Sequence, residues 1–212
     1  MTDLDFTVDG GEMARVKPGL KDHLRSIITG PRVLGGDTPG NDVPFFLCPY
    51  DPEGEAAMQR LIADLAAEIG TAGTRVLTLD LYRIAVDLLQ RTGRWDRLLS
   101  REARDDKVRF LALLQSTLNE EEVLVPEIRD LVDRTPHDLI FLTGFAPAFP
   151  MIRSYTILSR LQTVLKVAPT VIFFPGRYTQ DGDTGFSLKM LGRLRERNYY
   201  RAHNILHMRV TA

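Results

Sequence analysis

Apolar residues are distributed along this chain in two alternating modes. Four continuous runs, at residues 43–48, 75–80, 138–143 and 170–174, are bounded by Gly, Pro or Asp, as buried strands are. Between them, apolar residues return every three or four positions. Met58, Leu61, Ile62, Leu65 and Ile69 form one such face, Leu81, Ile84, Ala85, Leu88 and Leu89 a second, and Val108, Leu111, Leu114 and Leu118 a third. This spacing predicts amphipathic helices, with shorter ones over 20–28 and 125–132 and a longer one over 151–165. Asp51-Pro52 supplies a capping acceptor and a first-turn proline to the first large helix, and Gly70, Gly73 and Gly93 mark helix ends. Two further strands are expected near 186–190 and 203–208.

Near-continuous apolar strands alternating with helices predict an α/β fold, with a mostly parallel central sheet and helices on both faces, because crossover helices bury each strand twice. Gly30-Pro31 and the run Gly35-Gly36-Asp37-Thr38-Pro39-Gly40-Asn41-Asp42 set off a small N-terminal helical appendage. The expected division is an extension over 1–42, with a helix and a Gly/Pro-rich loop, and an α/β domain over 43–212.

Composition narrows the class. The chain has 212 residues, 44% hydrophobic and 26% charged, enough to bury a core without covalent staples. Its single cysteine, Cys48, excludes an internal disulfide framework and points to a reducing compartment, so a cytoplasmic location is expected. Asp3, Asp5, Asp9 and Glu12 are unlike a secretory leader, and no run approaches the ~18 apolar residues of a membrane span. A net charge of -1 argues against coating nucleic acid through bulk charge. The charge is unevenly placed. Residues 119–138 hold seven acidic side chains against Arg129 and Arg134, and residues 176–209 hold seven basic ones against Asp181, Asp183 and Glu196. Such asymmetry marks solvated faces or a pair of docking surfaces.

Most chemical motifs fail on inspection. Gly35 and Gly40 copy P-loop spacing, but Asn41-Asp42 stand where a phosphate-binding Lys and a magnesium-binding hydroxyl are needed, and the loop precedes the strand it should follow. Asp51 and Asp80 lie at the carboxyl ends of expected strands; they are either helix caps or a carboxylate pair for a hard cation. His203 and His207 lack the Glu of a zinc-protease motif and read as surface or packing residues. No G-x-S-x-G elbow is present, and Cys48 reads as a small core residue. The segment Asn198-Tyr199-Tyr200-Arg201-Ala202-His203 suits base stacking, a protein interface, or packing on its own domain.

Phe173-Phe174-Pro175-Gly176-Arg177-Tyr178, then residues 188–191, Gly192 and Asn198-Tyr199-Tyr200-Arg201-Ala202, form an ordered constellation. Upstream it extends through Asn41-x-Val43-Pro44-Phe45-Phe46, Leu142-Thr143-Gly144 and Pro150. Over most of residues 40–206 this pattern resembles the BrxB family, small proteins encoded in BREX (bacteriophage exclusion) defence systems of bacteria and archaea. His203 departs from it, standing where an apolar aromatic is expected. The resemblance implies a part in an assembly that modifies host DNA and blocks phage propagation. It brings no catalytic residue set and no cofactor, so the expectation is a non-catalytic adaptor rather than an enzyme. The implied partners are other BREX proteins, the PglZ phosphatase-like protein first, then the methyltransferase and the large ATPase. Phe174, Pro175, Gly176, Arg177, Tyr178, Asn198, Tyr199, Tyr200 and Arg201 are the candidate interaction or structural residues. The alternatives are a nucleic-acid-binding module using the basic segment 193–201, with DNA a secondary partner, and a metal-dependent enzyme using Asp51 and Asp80.

Overall fold

The computed structural model describes residues 6–8, 12–35, 45–166, 168–181, 185–191, 194–197 and 202–208. An N-terminal hairpin, β1 (Thr7–Val8) and β2 (Met13–Ala14), leads into α1 (Leu20–Ile28). The α/β alternation follows as β3 (Phe45–Tyr50), α2 (Glu55–Thr71), β4 (Val76–Asp80) and α3 (Leu81–Arg91). Three helices come next, α4 (Trp95–Glu102), α5 (Lys107–Thr117) and α6 (Val125–Arg134), before β5 (Leu139–Thr143), α7 (Phe145–Ala148) and α8 (Ser154–Val164). The chain continues through β6 (Thr170–Asp181), β7 (Gly185–Met190), β8 (Leu194–Arg197) and β9 (His203–Asn204).

The centre of the sheet runs β3-β6-β5-β4, all parallel. Side chains on successive strand residues point to opposite faces, and here both faces are apolar. Phe45, Leu47, Ile140, Leu142, Ile172 and Phe174 pack beneath α3, α6 and α8. Phe46, Cys48, Leu139, Phe141, Val171 and Phe173 pack beneath α1 and α2. Phe141 and Phe173 meet edge to face at 5.1 Å on that side, and Phe145 and Phe174 do the same at 5.7 Å on the other. A continuous apolar run is what a strand with two buried faces demands.

The N-terminal segment shares this core. Leu20, Leu24, Ile27 and Ile28 are buried against the α2 side of the sheet, and Lys21 and Arg25 both reach Glu68 of α2. The Ala14 carbonyl of β2 accepts the Asp51 amide at 2.9 Å, extending the sheet past the end of β3.

Two strand expectations differ from what forms. The stretch 203–208 keeps only a two-residue strand, β9, beside Phe46 and Leu47, and then turns through a 3-10 segment, Ile205–His207. Asn204 causes the turn, because its Oδ1 accepts the Leu206 amide at 3.0 Å and offers the backbone a local partner in place of the ladder. The fourth strand runs on beyond Phe174 to Asp181, leaving the parallel sheet and pairing antiparallel with β7.

Candidate functional site

In an open α/β sheet, ligands gather at the carboxyl ends of strands whose connections leave to opposite faces. Here that position lies at the ends of β3 and β6, since β3 leads to α2 on one face while α7 and α8 after β5 occupy the other. The chain fills the place itself. Arg15 Nε and Nη2 donate to Asp51 Oδ2 at 3.1 and 2.7 Å, and Asp51 Oδ1 accepts the Glu53 amide at 3.1 Å. Tyr50 donates its hydroxyl to Glu55 at 2.6 Å, and burial pushes that phenol far above its ordinary range. From the other side Arg177 pairs with Glu12 at 3.6 Å.

The Arg15 guanidinium holds the Asp51 carboxyl below the usual carboxylate range, aided by the Glu53 amide. A depressed carboxylate contributes stability that is present above its ordinary value near 4 and lost as pH falls below it. Asp51→Asn is therefore expected to be about 1 kcal/mol less stable than wild type at neutral pH, half-exposed Arg15 keeping the figure modest. Urea titrations at stepped pH should show the difference closing as the medium becomes acid. A difference independent of pH would show that the charge pairing is not its source.

Asp80 is a helix cap. Its Oδ1 accepts the Arg83 amide at 3.0 Å, and Gly144 at the end of β5 lies directly against it. Three strand spacings separate β3 from β4, roughly 14 Å at the ordinary interstrand distance. The two aspartates cannot share one ion, which overturns the metal site drawn from Asp51 and Asp80. Among the described residues no group of three or more His, Cys, Asp and Glu side chains is gathered around a point.

The Phe-Phe-Pro-Gly-Arg-Tyr motif is the segment over which β6 changes sheets. Phe173 and Phe174 belong to opposite faces of the core, and Pro175 stands opposite Tyr50 at the last rung of the parallel ladder. That is where a residue with no amide donor is tolerated. Gly176 then sits opposite Met190 in the hairpin with φ 146°, and a Cβ there would lie 2.1 Å from the Lys189 carbonyl oxygen. Tyr178 is 5% exposed and donates its hydroxyl to the Ala202 carbonyl at 2.9 Å. The first half of the motif thus holds the end of the second. Asn198, Tyr199, Tyr200 and Arg201 lie outside the described residues, as do Gly192, Asn41, Val43 and Pro44.

Removing only that hydroxyl, Tyr178→Phe, is expected to cost about 1 kcal/mol and to speed amide exchange over 202–208 while leaving the β3–β6 ladder protected. Unchanged exchange over 202–208 would show that the bond does not hold the segment.

His203 packs its imidazole against Phe46, ring centroids 5.8 Å apart, filling an aromatic position. With His207, Asn204, Tyr178 and Arg32 it lines a shallow depression of about 290 Å³. The acidic stretch is largely spent on internal partners. Glu120 accepts the Arg153 amide at 2.7 Å, Glu121 pairs with Arg160 at 2.7 Å, Glu127 with Arg91 at 2.5 Å and Asp138 with Arg75 at 2.5 Å. Glu12 and Arg15 are the site residues that sequence reasoning missed. Nothing local marks Arg15 as the partner of a carboxylate 36 positions away.

A parallel sheet covered on both faces, with the carboxylates at its strand ends tied to neighbouring groups, defines an α/β protein. The chain belongs to the BrxB family: the family model described as BREX protein BrxB matches residues 77–205. It is similar to BREX protein BrxB of Bacillus cereus (strain H3081.97), 29% identical over 171 residues that cover 79% of this chain and 85% of the relative. It is also similar to BREX protein BrxB of Escherichia coli O9:H4 (strain HS), 26% identical over 183 residues, or 86% of this chain and 88% of the relative. No solved structure is significantly similar to it. Membership of this family makes the chain a component of a BREX system.

Proposed function

We propose that this chain is a non-catalytic adaptor of a BREX anti-phage complex that binds another BREX protein, the PglZ-like phosphatase-superfamily protein first. The observation that carries this reading is the engagement of the strand-end carboxylates. Asp51 is tied to Arg15 and the Glu53 amide, and Asp80 caps α3 against Gly144. Groups that hold the fold together are not poised for proton transfer or metal binding, whereas chemistry at such a sheet needs them at its open strand ends. A family defined by a multi-component system supplies the context in which surfaces do the work.

The test is copurification. Tagged wild-type chain and a Tyr200→Ala/Arg201→Ala variant are each expressed with the PglZ-like protein and the ATPase of the same system. Capture of the PglZ-like protein by wild type, weakened at least about tenfold in a variant with an unchanged melting curve, is the expected result. Failure of wild type to capture either protein at low salt removes the adaptor reading. DNA affinity that falls steeply with added salt would replace it with nucleic-acid binding.

A further inference from the structure

The sheet's edges are treated unequally. The outer side of β3 is covered twice, by β2 opposite Tyr50 and by β9 opposite Phe46 and Leu47. The outermost strand of the hairpin, β8, reads Leu194-Arg195-Glu196-Arg197, and charged residues discourage pairing at an edge. The other end of the parallel sheet is β4, which pairs only with β5 among the described residues. Its sequence, Val76-Leu77-Thr78-Leu79-Asp80, has no proline or lysine, and its one charge, Asp80, stands at the very end and is engaged as the cap of α3, so the four residues before it are unguarded.

The direction of its free groups follows from the ladder. The Arg75 carbonyl accepts the Asp138 and Leu139 amides, so Arg75, Leu77 and Leu79 face β5. In a parallel ladder alternate residues turn their amide and carbonyl to opposite neighbours, which leaves those of Val76 and Thr78 directed outward. Beside them runs a groove of about 500 Å³, with Leu77 on β4, Ile84 and Leu88 on α3 and Leu131 on α6 along it, and Asp87 and Arg134 among its charged residues.

We infer that this edge receives an extended segment of a partner protein, added to the sheet as a further strand, with apolar side chains at every second position entering the groove. Backbone hydrogen bonds along β4 supply the affinity and the apolar pockets the selection, as in other strand-addition complexes. A second copy of this chain fits less well. The edge offers a contact of roughly 17 Å by 10 Å from strand length and sheet thickness. That is far below the roughly 800 Å² per partner of a stable dimer.

The inference rests on the adaptor reading, and Thr78→Pro separates the two. Proline at 78 removes an outward amide donor without touching the bonds to β5. Short overlapping peptides spanning the other proteins of the BREX system are titrated against the full wild-type and Thr78→Pro chains, with amide exchange followed at Val76 and Thr78. Expected are peptides with alternating apolar residues that bind wild type and slow exchange at both amides, and that bind Thr78→Pro at least about tenfold more weakly. Should that variant fail to fold, Leu131→Gln reads the same groove with the ladder intact. Equal peptide binding by the variants, no peptide binding by wild type, or protection that appears only with self-association overturns the inference. Whole-partner capture undiminished by Thr78→Pro keeps the adaptor and refutes this edge, whereas no capture by wild type ends both.

Discussion

Gly176→Ala is expected to lower the melting temperature by about 6–12 °C, corresponding to ~3 kcal/mol in a chain of this size. The added Cβ would lie 2.1 Å from the Lys189 carbonyl oxygen and 3.1 Å from the Met190 Cα. Both are backbone atoms of the paired strand and cannot swing aside as a side chain would. The backbone at φ 146° also lies in a region that favours glycine. Relief requires β7 to part from β6, so amide protection over 185–190 should fall together with the melting temperature. Gly70 is the matched control: it lies within α2 with nothing within 4 Å of its Cβ position, and Gly70→Ala is expected to stabilise by about 0.5–1 kcal/mol. If both substitutions shift the melt equally, close approach at Gly176 is not the cause.

At Gly144 the nearest obstruction is a side chain, with the Leu81 backbone nitrogen also at 2.9 Å, so the side-chain share is testable by coupling. A Cβ at this position would lie 2.2 Å from Asp80 Oδ1, at a backbone φ of 79°. Gly144→Ala is expected to cost about 2–4 kcal/mol, combining left-handed strain with displacement of the α3 cap. Asp80→Ala alone should cost about 1 kcal/mol. Because the clash and the cap involve the same carboxylate, the double variant should be less destabilised than the sum of the two. Strict additivity in denaturant titrations would mean that the carboxylate moves aside freely.

These two glycines show what could be read from sequence and what could not. The four central strands and the helices over 20–28, 55–71, 81–91, 125–134 and 154–164 were legible because burial on two faces leaves continuous apolar runs, and burial on one leaves a stripe. The helix over 107–117 forms where expected, but its core face differs from the expected stripe: Val108 is 79% exposed, and Phe110, Leu113 and Leu114 meet the core instead. The change of sheets within β6 was not, since Pro175-Gly176 reads locally as a terminator and becomes a junction only with β7 alongside. Strands β1, β2 and β9 are two residues long, too short to carry any period. Tyr178 was legible as a motif residue, but its role depends on Ala202, 24 positions later. Strand order, and with it the separation of Asp51 from Asp80 and the open side of β4, is a property of tertiary pairing that local pattern does not encode.

The position of β6 also governs when the protein can fold during its synthesis. By the time residue 150 has emerged from the ribosome, β3 and the β4–β5 pair have both been made, yet no strand ladder joins them, because the strand between them begins at Thr170. The centre of the sheet therefore closes late, through contacts between residues more than 100 positions apart, a topology that folds slowly. Until then the nascent chain carries two apolar strand assemblies in search of neighbours, a state in which chaperone protection matters most. A ribosome that stalls before Thr170 releases two half-sheets rather than a smaller version of the protein.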